Sequence, residues 1–400
     1  MKSGLLSKLI GDYRMKVLEL FGGIGACTQA LKRLHVPLEI ADYVEIDKYA
    51  VKSYNAINGT NFEPQDITKW DKNLEVDLIM HGSPCQDFSI AGKQAGADEG
   101  SGTRSSLMYE TVRIVTKLKP KYVIWENVKN VLSAKHRHNF EAYLEKMESL
   151  GYENYYQVLN AKDYEIPQNR ERIFTVSILN SGGFEFPLKK ELKTRLKDVL
   201  EDEVDEKNYL SDEQVERIKT STYVQNTRRI QGKDWCDTLY ARVGHGVSQT
   251  LQCNDSMGVV TAAAMCGRYN EGKIEQHIEV SDREYSNALT TVQKDSLIAK
   301  TKCLNSKVNG KQPHVQDRIY DSEGISPAIT TAFRPSIAEH SENLRIRKLT
   351  PKECWRLMGF SNECFEKAQK VNSNTQLYKQ AGNSIVVDVL YYIFKNLLRG

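Results

Sequence analysis

The chain has 400 residues, 40% hydrophobic and 27% charged, and its 55 basic and 52 acidic side chains leave a formal charge of +3. That length suits two or three domains with ample core, and so small a net charge excludes a general polyanion binder; a nucleic-acid partner would need a local basic cleft. No apolar run is long enough to cross a bilayer and no signal-peptide segment is seen, while the eight cysteines show neither Cys-x-x-Cys pairs nor metal-ligand spacing with His, so the expectation is a cytoplasmic, soluble, metal-free protein with reduced thiols.

Residues 1–14 are polar and read as a loosely held arm. Met15–Leu20 is predicted as a strand running into the turn Phe21-Gly22-Gly23-Ile24-Gly25, and a helix follows with Ala26, Ala30, Leu31 and Leu34 on one face. A Gly-rich turn between strand and helix lets the backbone approach a ligand and aims amide groups at it, although a purely structural tight turn reads the same way. The next predicted strand, Ile40–Asp47, ends in acid roughly 20 residues past the glycines, where a carboxylate suits a ribose diol. Asp66-Ile67 is expected at the end of a third strand, in a position to bracket an adenine.

An apolar run, Val76–Met80, predicts a short buried strand ending at His81-Gly82. It leads into Gly82-Ser83-Pro84-Cys85-Gln86-Asp87-Phe88-Ser89, which displays a thiol on a turn where open α/β sheets place their ligands. Cys85 is read as a nucleophile against the bland alternative of one more small buried cysteine. Residues 89–105, rich in Gly, Ala and Ser, read as a loop able to close over the site. Ser105–Lys119 has helical spacing, Pro120 stops it, and Tyr122–Trp125 is the next strand, ending at Glu126-Asn127-Val128. A carboxylate at an apolar strand end is partly desolvated, which raises its pKa toward values useful for proton transfer. A helix over 138–150, a strand over 155–159 and a strand over 173–178 follow. Before the last stands Gln168-Asn169-Arg170-Glu171-Arg172, whose two arginines share a face by strand alternation. Two guanidiniums there attract phosphate or a carbonyl oxygen, or form a salt bridge with neighbouring glutamates.

Beyond Gly182 the pattern changes. Residues 189–219 are charge-dense, with an acidic cluster at 198–206 that reads as a solvated face and a helix expected over Glu213–Ile218. Short polar strands and turns follow, and three segments look alike: 247–251, 285–291 and 325–331, an internal repeat of β-hairpin-type units. Arg228, Arg229, Arg242, Arg268, Arg318 and Arg334, interspersed with Gln, Asn, Thr and His, suit the reading of base edges or simply an ordinary polar surface. Thr350-Pro351-Lys352-Glu353 is a helix start, with Thr as N-cap and Glu reaching back. Trp355, Leu357, Met358 and Phe360 are core. Asn383-Ser384 is expected to open a final helix whose apolar stripe, Ile385 to Leu397, must pack back on the first lobe.

The order of these motifs resembles the cytosine-5 DNA methyltransferases of bacteria and phages. Phe21–Gly25, Gly82–Gln86, Glu126–Val128, Gln168-x-Arg170-x-Arg172, Arg347–Phe360 and Gln380–Ser384 carry the likeness, over about residues 15–180 and 345–400. Glu19 departs from it, since members usually carry Asp there, as does Ala26 in place of a second Gly. Ala91 stands where some relatives have a polar residue that fills the gap left by a flipped base.

The resemblance implies an α/β fold: a Rossmann-like S-adenosylmethionine-dependent methyltransferase domain (15–186), a large β-rich inserted target-recognition domain (187–344) and a return segment completing the catalytic domain (345–400). It implies S-adenosylmethionine held by Phe21, Gly22, Gly23, Ile24, Gly25, Glu45, Ile46, Asp66, Ile67, Pro84, Asn383 and Ser384. It implies methylation of cytosine carbon 5 in a specific double-stranded DNA sequence, with base flipping, Cys85 as covalent nucleophile, Glu126 on the N3 edge, Arg172 on the base's carbonyl oxygen and Arg170 supporting the catalytic loop or a phosphate. Lys93 and Arg104 are the expected phosphate contacts. A monomer on duplex DNA is expected, and a cognate restriction endonuclease acting separately stands open beside a phage or orphan enzyme. Three rival readings remain: an RNA methyltransferase of the same fold, a catalytically silent DNA reader, and a Rossmann dehydrogenase suggested by Gly-x-Gly and Glu45 alone.

Overall fold

The computed structural model describes residues 13–84, 107–180, 182–209 and 345–398, together with six shorter strand segments between 263 and 339. Cys85, Lys93 and Arg104, the expected 213–218 helix, and the first two of the three similar segments lie outside the described residues. The chain divides into two compact units, one formed by Met1–Ile166, Arg170–Leu192 and Trp355–Gly400, the other by Pro167–Asn169 and Lys193–Cys354.

The first unit is built on a six-stranded sheet. Strands β1 (Met15–Leu20), β2 (Leu38–Val44), β3 (Leu78–His81) and β4 (Tyr122–Val128) run parallel in the order β2-β1-β3-β4. After β5 (Tyr152–Asn160) and the short β6 (Gln168–Asn169), β7 (Glu171–Leu179) pairs antiparallel with both β4 and β5 and completes the sheet. From β1 the chain moves outward to β2 and then crosses to β3 on its other side, so the order reverses at the carboxyl ends of β1 and β3. Open sheets bind ligands at such a switch point.

Strand alternation explains why both faces are apolar. Leu18, Ile79, Val123 and Trp125 join one core with Met108, Val112, Phe140 and Tyr143, which come from helices over Met108–Leu118 and Arg137–Ser149. Val17, Glu19, Met80, Ile124 and Glu126 point to the opposite face and are also buried. In chain order the helices of this unit begin with α1 (Ala26–Arg33) and α2 (Lys48–Asn58), and the two just named are α3 and α4.

The return of the chain adds α5 (Pro351–Arg356), α6 (Asn362–Gln369), α7 (Asn374–Asn383) and α8 (Val387–Leu397). Helix α8 buries Val389, Leu390, Ile393, Phe394 and Leu397 and packs on α1, where Asp388 pairs with Arg33 at 2.7 Å. The expected packing on the first lobe is met. Its boundary is not: Asn383 closes α7 instead of opening the last helix, Ser384 leaves helical geometry at ψ 159, and α8 begins only at Val387. The expected third strand is likewise replaced. Asp66 caps a single 3-10 turn at Ile67–Lys69, accepting from the Thr68 N–H at 3.0 Å.

The described part of the second unit is mainly strand. β8 (Ala263–Asn270) and β9 (Lys273–Val280) form an antiparallel pair, flanked by β10 (Ser296–Leu297). β11 (Ile319–Asp321), β13 (Ser336–Glu339) and β14 (Arg345–Lys348) form a second sheet, and β12 (Ser326–Pro327) pairs with β6. Residues 345–354, assigned from sequence to the return segment, fall in this unit. The reason is a buried knot at the start of α5. Arg347 donates both terminal nitrogens to Glu353 at 2.9 Å, and Glu353 also accepts from the Thr350 and Glu201 N–H groups at 2.7 and 2.8 Å. The Glu353 N–H returns to Thr350 Oγ1 at 3.2 Å, so the predicted reciprocal cap is present.

Candidate active site

The turn after β1 is set by its glycines. A Cβ on Gly22 would lie 2.7 Å from the Tyr43 ring, and one on Gly25, at φ +83, 2.7 Å from Tyr54. Any larger residue would collide at both positions, and the second also demands a left-handed backbone. Gly23 is also left-handed, at φ +54, but a Cβ there would meet nothing within 4 Å: this side of the turn is open. Phe21 is half-buried against the core, and Ile24 is fully buried, so Ile24 can offer a ligand only backbone.

Glu45, just past β2, grips this turn. One carboxylate oxygen accepts from the Gly23 N–H at 3.1 Å and the other from the Asp47 N–H at 2.8 Å. Burial, reinforced by the Asp47 charge, raises its pKa, while the two N–H donors pull the other way. Ile46, next in sequence, is 70% exposed, an apolar side chain left facing outward at the switch point. Asp66 is half-buried, and its carboxyl is held below the usual range by the Thr68 hydroxyl and N–H. Ile67 packs in the core, so what it has for a ligand is backbone alone.

At the end of β3, Gly82 stands opposite Glu126 on the same face. A Cβ on Gly82 would lie 3.8 Å from Glu126 Oε2 and 3.5 Å from Ile385 Cδ1. Ser83 is fixed beneath it by the Trp125 indole N–H, which donates to its Oγ at 2.9 Å. Pro84, half-buried, is the last described residue before Cys85. Glu126 is 9% exposed and pairs with Arg172 Nε at 3.2 Å, because Arg172 on β7 registers with Val128, two residues along the same face. Burial raises the Glu126 pKa, the direction expected from sequence, and Arg172 and Arg170 oppose the rise.

Arg170 does something different from its neighbour. It is 4% exposed, and its Nη2 donates to the carbonyls of Gly382 and Ser384 at 3.2 and 2.8 Å. A phosphate contact, one of its two expected roles, does not suit a guanidinium so enclosed; this arginine clamps the returning segment. The same segment is tied from the other side. Gln380 bridges the Ser53 hydroxyl and the Tyr49 carbonyl at 2.9 Å each, and Lys379 pairs with Asp47 at 2.7 Å. Ser384 is thereby buried and Asn383 left exposed between two anchors. The sequence reading gave no role to Lys379 or Tyr43, and to Gln380 none beyond its place in the Gln380–Ser384 motif. Tyr43 had a local signal, its place two residues before Glu45.

The model of the family described as C-5 cytosine-specific DNA methylase matches residues 15–399. The chain belongs to this family. It is similar to the orphan methyltransferase M.SPRI of Bacillus phage SPR, 31% identical over 96% of this chain and 98% of that protein. The type II methyltransferase M2.ScrFI of Lactococcus lactis is 34% identical over 92% of this chain and 81% of its own. In fold it resembles the S. pombe Dnmt2 methyltransferase, at 18% identity and TM-score 0.59 over 96% of this chain and 99% of that one.

This cytosine-5 methyltransferase is therefore an enzyme that uses S-adenosylmethionine to methylate carbon 5 of cytosine in DNA. The residues at the switch point fit that cofactor. Gly23 leaves open space over the turn, Glu45 presents a carboxylate beside it, and Ile46 offers the exposed apolar surface on which a purine can lie. Among the described residues no helix is long and apolar enough to cross a membrane.

Proposed function

We propose that the enzyme methylates cytosine within a specific double-stranded sequence, through a covalent bond from Cys85 to a base turned out of the helix. The observation that carries this reading is the Glu126–Arg172 pair, 3.2 Å apart and largely buried, beside the Gly82 turn that leads into Pro84-Cys85. Cytosine carbon 5 is too weakly nucleophilic to accept a methyl group unaided. A thiolate adding at carbon 6 moves the ring electrons toward carbon 5 and makes it a nucleophile. Glu126, whose pKa burial raises, is the acid that donates to N3 as the thiolate adds and so neutralises the charge that would build there. Arg172, held by Glu126, presents its guanidinium to the base's carbonyl oxygen. Once carbon 5 carries the methyl group, its proton passes to water, the bond to Cys85 breaks with its electron pair on sulfur, and N3 returns its proton to Glu126, which restores the ring.

S-adenosylmethionine supplies an electrophilic methyl group on a sulfonium. Its holders are Phe21, Gly22, Gly23, Ile24 and Gly25 through the turn, Glu45 on the ribose, Ile46 against the purine, Asp66 and the Ile67 backbone at the amine, with Pro84, Asn383 and Ser384 flanking. Arg170 acts on the far side, fixing the carbonyls on either side of Asn383. Lys93 and Arg104 take phosphates, because a base can leave its stack only if the flanking backbone is gripped. Residues 187–344 read the target sequence. A monomer acts on the duplex, and any restriction endonuclease of the same specificity acts separately.

Transfer of labelled methyl groups to duplex DNA, single-stranded RNA and no acceptor tests the whole reading, with Cys85→Ala beside the wild type. The expectation is label in duplex DNA alone, lost in the variant while cofactor binding persists, with the target revealed by conversion sequencing. Label in RNA, or full activity without the thiol, would overturn it.

A further inference from the structure

The glycine turn is held from beneath by a side chain that the reaction itself does not use. Tyr43 is fully buried, and its hydroxyl donates to the Gly23 carbonyl at 2.6 Å. The Gly23 N–H donates to Glu45 at 3.1 Å. Tyr43 on β2 and Glu45 just past its end lie two residues apart, and between them they hold both polar groups of one glycine. The ring does a separate job. It stacks on Tyr54 with centroids 3.8 Å apart and lies where a Gly22 side chain would stand, while Tyr54 fills the same place under Gly25. Tyr54 is anchored in turn, its hydroxyl donating to Glu19 at 3.0 Å.

Packing alone would be satisfied by Phe at position 43, since the stack and the contact with Gly22 involve only ring carbons. The hydroxyl is the added feature, and its described bond goes to the Gly23 carbonyl. A turn with three glycines in five residues has many conformations available. Closing it on a ligand costs the entropy of that freedom unless the chain is already held. The geometry points to Tyr43 as a positioning residue: through the Gly23 carbonyl it presets the turn, and through the same residue the Glu45 carboxylate, for S-adenosylmethionine. This rests on the cofactor assignment to that turn.

The test is calorimetric binding of S-adenosylmethionine to Tyr43→Phe without DNA, beside its urea midpoint and steady-state kinetics. Loss of one buried hydrogen bond predicts dissociation about five- to tenfold weaker. The Michaelis constant for the cofactor should rise by the same factor and kcat at saturation should stay at the wild-type value. A merely structural hydroxyl would lower the urea midpoint and leave the dissociation constant alone, and that result would overturn the proposal. So would a fall in kcat at saturating cofactor with binding unchanged. Should the wild type itself fail to bind the cofactor, the assignment of the turn falls, and the tether with it.

Discussion

Glu19 is the residue at which the chain departs most sharply from what its place in the fold would suggest. It lies on β1, 1% exposed, on the face covered by α1, and accepts hydrogen bonds from the Thr28 and Tyr54 hydroxyls. Burial is the largest influence and pushes its pKa from an ordinary 4.5 to about 7, against the opposing pull of those donors. The folded protein therefore binds a proton at this site that the unfolded chain has released. Stability falls as pH rises from about 4.5 to about 7, and the loss is complete above both values. At about 1.4 kcal/mol per unit, a shift of this size is worth about 3 kcal/mol. Glu19→Gln keeps an acceptor for both hydroxyls and removes the ionisation. Urea unfolding followed by tryptophan fluorescence is a suitable assay, because Trp70, Trp125 and Trp355 are all buried in the first unit. Relative to wild type, the variant should gain about 3 kcal/mol between pH 4 and pH 8. Parallel pH curves for the two proteins would refute the argument, as would a variant less stable than wild type only at pH 8.

Two further substitutions separate chemistry from architecture. Glu126→Gln should lower methyl transfer by about 10²- to 10⁴-fold, the usual worth of a general acid, with cofactor affinity unchanged in calorimetry; a parallel loss of cofactor binding would mean that Glu126 acts through the fold. Arg347→Met strands the fully buried carboxylate of Glu353 and should cost about 3–5 kcal/mol in urea unfolding. The double variant with Glu353→Gln, which removes the charge and keeps an acceptor for the Thr350 and Glu201 N–H groups, should recover part of that loss, and no recovery would show that the pair matters for something other than its charge.

How much of this was legible in the sequence depends on the range of the interaction. The four parallel strands, α1 and α3 follow from local apolar periodicity, whereas α2 was not read from the sequence; Thr350-Pro351-Lys352-Glu353 declared its reciprocal cap because every partner lies within four residues. The end of α7 was misread because its cause is remote. Gly382-Asn383-Ser384 reads as a helix-opening turn, yet Arg170, more than 200 residues earlier, takes the carbonyls on either side of Asn383 and fixes where the helix stops. Asp66 was misread for a related reason: an acid after a polar stretch marks a cap as well as a strand end, and only the Thr68 bond distinguishes them. The Glu126–Arg172 pair lay in between. Each residue was singled out from its strand, and antiparallel register brought them together.

That register also sets the charge of the site. Two guanidiniums, Arg170 and Arg172, lie close enough to Glu126 to lower its pKa, and the three side chains are mostly shielded from water. One carboxylate against two permanent cations leaves an excess positive charge at the carboxyl end of β4 and the amino end of β7. In a poorly hydrated setting such an excess is screened weakly and favours any negative charge that forms nearby. The proposed reaction calls for two: a thiolate on the segment leaving Gly82, and electron density on the base's carbonyl oxygen and N3 as that thiolate adds. Arg170 supplies part of this charge while its hydrogen bonds go to backbone carbonyls, so the group that locks the returning segment in place also biases the site toward anions.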